Sequence, residues 1–136
     1  MHTASYDSRS RRHQAPVALA PRRRPGAVGT SSQAPVERAS EKVRAAVHTI
    51  NGFGKACGFE EVRELGVLEA PIGLTSTLNV WRVADALATI ALEQSPEIGI
   101  QTSSLNVVVG ECNDRYLNDL QGRHVGEEAV RAALAA

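Results

Sequence analysis

The residues best equipped for chemistry lie together in GECNDRYLNDLQGRHV, at positions 110–125, directly after the apolar run LNVVV. Between 111 and 119 this segment offers Glu111, Asn113, Asp114, Tyr116, Asn118 and Asp119. Loops at strand ends are where layered α/β folds place their working groups. Three readings of such a set can be compared. A calcium loop needs oxygens at alternate positions, a central glycine and a distal glutamate, and the spacing here does not supply them. A pocket for a cation needs one carboxylate against a substrate ammonium, with amides to orient it, and the residues permit this. On composition alone they better suit an ordinary loop whose Asn and Asp side chains bond their own backbone.

Elsewhere the candidates thin out. His48 and His124 are far apart and lack a carboxylate or thiol at metal-ligand spacing, so surface or hydrogen-bonded histidines are expected and no metal site is predicted. Cys57 and Cys112 form neither a CxxC pair nor a disulfide framework. Free, inert thiols in a reducing cytosol follow, and with them a cytoplasmic location. Gly52-Phe53-Gly54-Lys55 is a fragment of a phosphate loop, but Ala56 stands where that motif needs Ser or Thr. Trp81 suits packing. No cofactor is indicated.

These groups need a frame. Phe59, Val62 and Leu65 at spacings of three, with Gly66 as a stop, predict a helix over 59–65. Residues 79–94 repeat Val80, Val83, Ala84, Leu87, Ile90 and Ala91 at three and four, with Asn79 as N-cap and Ser95-Pro96 as the close. A third helix is predicted over 127–135, its acids in the first turn where the dipole favours them. Strands are expected at 45–50, stopping at Asn51-Gly52, at 71–75 and at 105–109. Strand alternating with helix argues for a layered α/β fold.

The formal charge of zero over 136 residues conceals two unlike halves. Residues 1–44 carry nine Lys and Arg against three acids, a net of +6, and residues 45–136 carry six against twelve, a net of −6. The basic part holds Pro16, Pro21, Pro25, Pro35 and the run Arg22-Arg23-Arg24, with no Ile or Phe. Such a segment cannot bury enough apolar surface to offset its ordering entropy, so residues 1–42 are expected to be a disordered tail. The arginines lack interleaved aromatics or a nucleic-acid motif, so nucleic acid is not an expected partner. The longest apolar run in the first 24 residues, 17–20, is too short for a signal peptide or a membrane span.

Three segments, VHTINGFGKACGFEEVRELGVLEAPIGLT at 47–75, TSTLNVWRVADAL at 75–87 and PEIGIQTSSLNVVVGECNDRYLNDLQGRHV at 96–125, together resemble the self-cleaving aminopeptidases. That family includes L-aminopeptidase/D-esterases, D-aminopeptidases and β-peptidyl aminopeptidases. The resemblance runs from Val43 to the end, and residues 1–40 show no likeness to it. It implies a four-layer αββα sandwich, here incomplete, with residues 43–136 as a partial first-subunit domain. It also implies autoproteolysis that exposes an N-terminal serine nucleophile, oligomeric enzymes, and release of N-terminal amino acids from peptides, amides or esters.

The nucleophile and first strands of the family are not matched here, so no catalytic residue is assigned and the chain alone is expected to be inactive. What the resemblance assigns is a pocket wall. Glu111 stands at the acidic position of GECND as the ammonium partner, Tyr116 and Asn118 match the family's DGYLND, and Asn51 lies in its NGFGK turn. A competing reading is a non-catalytic binding or assembly module that needs a complementing chain. Three departures matter: Ser76 replaces an amide and Trp81 a glycine of TNTLSVG, and Arg115 replaces the glycine of DGYLND. Arg115 is placed to pair with Glu111 or Asp114.

Overall fold

The computed structural model describes residues 42–135, apart from 103, 114 and 117, together with the backbone of a strand at Ala18–Ala20. In chain order the elements are β1 (Ala18–Ala20), β2 (Val43–Arg44), β3 (Ala56–Cys57), α1 (Phe59–Leu65), β4 (Val67–Leu68) and β5 (Ile72–Ser76). A 3-10 turn (Thr77–Asn79) leads into α2 (Val80–Gln94), followed by β6 (Val108–Cys112) and α3 (Glu127–Ala135). Of the tail predicted to be disordered over 1–42, Ala18–Ala20 forms the strand β1, and the remaining residues before Lys42 lie outside those described. At its end, however, Lys42 is tied into the fold by an ion pair to the buried Glu69 at 2.5 Å.

The centre is a strand–helix–strand unit. β5 and β6 run parallel, with Gly73 opposite Val109 and Thr75 opposite Glu111, and α2 makes the crossover. β1 adds antiparallel to β5 and β3 antiparallel to β6, giving the order β1-β5-β6-β3, while β2 and β4 form a separate ribbon. α2 lies on the face that carries Gly73 and Val109. A Cβ at Gly73 would meet Val83 at 3.1 Å, Val109 at 3.2 Å and Leu87 at 3.3 Å. The core there joins Val80, Val83, Leu87 and Ile90 of α2 to Val109, Val125 and Val130 of α3. Each fully buried valine contributes about 1.5–2 kcal/mol relative to exposure. The opposite face carries Ile72, Leu74 and Val108, and Leu74 remains partly exposed.

Helices match the sequence pattern more closely than strands do. α1 and α3 occupy the expected residues, and Gly66 ends α1 in the left-handed region at φ 67°, donating its N–H to Val62 O. α2 begins as expected, but Asn79 makes no capping hydrogen bond because its amide serves other partners. Trp81 is 55% exposed rather than packed, since Val80 and Val83 take the inward positions of the first turn. The strand expected at 105–109 starts only at Val108. Asn106 is occupied elsewhere: its backbone N–H donates to Glu69 Oε2 at 2.8 Å and its Nδ2 to Gly58 O at 3.0 Å. No strand forms at 45–50; pairing with β4 stops at Arg44, after which Ala45 N–H donates to Gly66 O at 2.8 Å. Ile50, past that point, is exposed.

Candidate functional site

Parallel strands end side by side, and here their ends meet the start of α2. Glu111 and Cys112 finish β6 beside Thr75 and Ser76, which finish β5. The turn 51–55 runs alongside: Glu111 N–H donates to Lys55 O at 3.0 Å, and Gly54 lies directly on the Glu111 side chain, whose Cγ would be 3.7 Å from a Cβ there. Glu111 Oε2 is buried without a hydrogen-bond partner among the described residues, and so are Thr75 Oγ1 and Thr77 Oγ1. Each such group ordinarily costs about 1–3 kcal/mol, more for a charged one. Such atoms are candidates for meeting something other than the protein.

Asn51 sits at the outer end of the same turn. Its Oδ1 accepts from Phe53 N–H at 3.2 Å, and its side chain is exposed. With Gly54, Cys57, Phe59 and Asn106 it lines a depression of about 540 Å³ between the turn and α1. Burial pushes the Cys57 thiol up from its ordinary pKa, against a smaller opposing effect of its hydrogen bond with the Val109 backbone. Both cysteines are free. Among the described residues no three His, Cys, Asp or Glu side chains gather into a metal site.

Tyr116 and Asn118 sit on the loop beyond β6. Tyr116 is 91% exposed, and its ring receives the Arg115 guanidinium at 5.6 Å. The ion pair of Arg115 with Glu111 does not form; the cation stacks on the neighbouring ring instead, and the alternative partner Asp114 is outside the described residues. Asn118 is half-buried. The loop's far end is clamped: His124 Nε2 lies 3.0 Å from Asp119 Oδ2, and Asp119 Oδ1 accepts from Gly122 N–H at 3.2 Å. Of the two histidines expected to be exposed or hydrogen-bonded, His124 is hydrogen-bonded and His48 is exposed. The turn of 51–55 therefore meets Glu111 directly, whereas Tyr116 projects from a separate loop.

Beneath the strand ends runs a polar brace. Ser76 Oγ donates to Asn79 Oδ1 at 2.5 Å, and Asn79 Nδ2 donates to Arg123 O at 3.2 Å and Val125 O at 3.1 Å. Arg123 holds a positive φ of 46°, secured by its Nε donating to Leu78 O at 3.1 Å and by Arg82 donating to its carbonyl. The serine that replaces the expected amide at 76 thus spends its hydroxyl on positioning α2. Thr75 and Thr77 were not singled out by sequence. Their one signal is a polar, β-branched pair closing an apolar strand, at the same alternation as Gly73.

Residues 23–136 match the sequence profile of peptidase family S58. The match begins well before Val43, so the likeness extends into the segment whose composition sets it apart. The β-peptidyl aminopeptidase BapA of Sphingosinicella xenopeptidilytica is 38% identical over 85 residues, covering 62% of this chain and 21% of that protein. Among solved structures, a β-aminopeptidase of Burkholderia sp. superposes with TM-score 0.74 at 33% identity, over 90% of this chain and 31% of its own. The PH0078 protein of Pyrococcus horikoshii OT3 gives 0.69 at 33% identity, over 90% and 38%. An L-aminopeptidase D-Ala-esterase/amidase of Ochrobactrum anthropi, a variant of the Ntn hydrolase fold, gives 0.63 at 24% identity over 90% and 36%, a likeness of fold. The chain therefore spans between 21% and 38% of the length of these relatives.

Proposed function

The chain belongs to peptidase family S58, and we propose that it forms one wall of the substrate pocket of a serine aminopeptidase. The enzyme would release N-terminal amino acids from peptides, amides or esters. The observation that carries this reading is the Glu111 carboxylate, with one oxygen buried and unpartnered at the joint end of β5, β6 and the 51–55 turn. A substrate ammonium supplies the missing charge and donors, and a charge-assisted hydrogen bond in such a site is worth about 1.5–3 kcal/mol. In this reading Asn51 lines the approach to this wall, and Tyr116 and Asn118 would reach it from the loop that follows β6.

In this reading the attacking serine is not among the described residues. An N-terminal nucleophile needs a serine at a chain start exposed by cleavage. Ser76 is tied to Asn79, and Ser95 is buried where α2 ends. The sheet face bearing Leu74 would receive the second sheet of a four-layer sandwich, from the remainder of the enzyme, in a cytoplasmic oligomer. Among the described residues no helix is long and apolar enough to cross a membrane.

The test is hydrolysis of amino-acid p-nitroanilides by the 136-residue chain, with SDS gels to follow self-cleavage. The expected result is neither turnover nor cleavage by the chain alone. Turnover when it is combined with a polypeptide carrying the serine half would support the pocket-wall role, and robust turnover by the chain alone would sink it.

A further inference from the structure

We propose that Thr75 and Thr77 determine specificity at the Glu111 site, forming with its carboxylate a three-acceptor cradle that takes a primary ammonium and rejects N-alkylated amines. The proposal rests on Glu111 being the ammonium partner.

Parallel register sets Thr75 directly opposite Glu111, and neighbouring strands lie only about 4.8 Å apart. Alternation puts both on the face that Gly73 and Val109 present to α2. Thr77 follows two residues later, where the chain turns into the 3-10 segment before α2. Thr75 is 1% exposed and Thr77 7%, yet neither hydroxyl finds a partner among the described residues. Polar atoms this deep are nearly always satisfied. Three of them, Glu111 Oε2, Thr75 Oγ1 and Thr77 Oγ1, belong to residues at or just past the ends of β5 and β6. A hydroxyl proton rotates to suit its neighbour, so each threonine can offer a lone pair.

The donor count selects the guest. A primary ammonium carries three N–H donors and a positive charge for the carboxylate, whereas a water molecule carries two donors and no charge. Each N-methyl group removes one donor and adds bulk among buried atoms. Sites built to hydrogen-bond a group reject analogues that lack it far more strongly than apolar pockets reject a methylene.

The experiment titrates the isotope-labelled chain with alaninamide, N-methylalaninamide and the N,N,N-trimethyl form, following the amide resonances of Thr75, Thr77 and Glu111. Sodium chloride serves as the inorganic-cation control. Alaninamide should bind about 10-fold tighter than the trimethyl form or better. Thr75→Val and Thr77→Val should each collapse that ratio, while Thr75→Ser, which restores a hydroxyl, keeps it. The valine variants should also melt at a higher temperature than the parent, since a methyl replaces an unpaired hydroxyl. An unchanged ratio in both valine variants, with Glu111→Gln still abolishing binding, overturns the cradle and leaves the role of Glu111 standing. Binding that survives Glu111→Gln, or no amine binding at all, overturns both. Equal shifts from sodium chloride would make this an inorganic-cation site and end the claim of selectivity.

Discussion

Replacing Gly58 by alanine should be among the most damaging single-methyl changes in this chain, and three glycines allow its causes to be separated. Gly58 caps the start of α1 at φ 80°, and a Cβ there would stand 2.0 Å from Val107 O and 3.0 Å from Asn106 Oδ1. The left-handed conformation costs an L-residue about 1–2 kcal/mol. The clash is with main chain, so no rotamer relieves it; the loop before β6 must retreat by more than an ångström, and overpacking of this kind costs about 1–3 kcal/mol. Retreat also endangers the Asn106 Nδ2 bond to Gly58 O at 3.0 Å, which contributes about 1 kcal/mol. The total is about 3–6 kcal/mol, against about 5–15 kcal/mol for the whole stability of a typical domain. Gly99 also has a positive φ, 76°, but open space around it, so Gly99→Ala should cost only the conformational part, about 1–2 kcal/mol. Gly52 has neither constraint, and Gly52→Ala should be neutral or slightly stabilising. Urea unfolding followed by far-UV circular dichroism is the assay, because the only tryptophan, Trp81, is too exposed to report on the core. A Gly58→Ala midpoint equal to that of Gly99→Ala would refute the steric part of the argument.

Two further outcomes follow from ionisable groups. The hydrogen bond and charge of Glu69 raise the Lys42 pKa above the ordinary lysine value. A raised pKa makes the stabilisation complete below the unfolded lysine's pKa and lost as pH climbs through the folded one. The urea-midpoint gap between the parent and Lys42→Met should therefore hold up to about pH 10 and shrink above it; a gap independent of pH to about 12 would contradict the pairing. Iodoacetamide should alkylate exposed Cys112 well before Cys57, whose thiol burial makes harder to ionise; equal rates by peptide mass spectrometry would count against that environment.

The helices were legible because each has a one-sided stripe with its own stop signals. Val83, Leu87 and Ile90 repeat at helical spacing, and Gly66 marks an end that needs φ above zero. Strands were less legible for a physical reason. LNVVV is β-prone throughout, yet Asn106 is drawn out of the ladder by Glu69 and Gly58, residues 37 and 48 positions away, and the strand starts only at Val108. Ala56–Cys57 is two residues long and exists because Val109 and Gly110 lie beside it. Nothing within a short window encodes either fact. Trp81 shows the converse limit: its size suggests burial, but its place in the helical repeat, between Val80 and Val83, turns it outward.

The candidate site follows the same division. Composition shows a carboxylate at 111 and an asparagine-rich loop, which fit an ordinary loop better than a pocket. What distinguishes Glu111 is long-range: Lys55 and Gly54 reach it from one turn, and Thr75 reaches it across a parallel register. These neighbours leave its Oε2 buried but give it no donor. An ordinary loop carboxylate with that much freedom would turn to water or to Arg115, whose guanidinium instead lies on Tyr116. Keeping the oxygen inside costs folding energy, and the cationic guest proposed for this site would recover that cost on binding. On that proposal the acidity of the 45–136 half matters less as a total than through the one Glu111 oxygen that is buried without a donor.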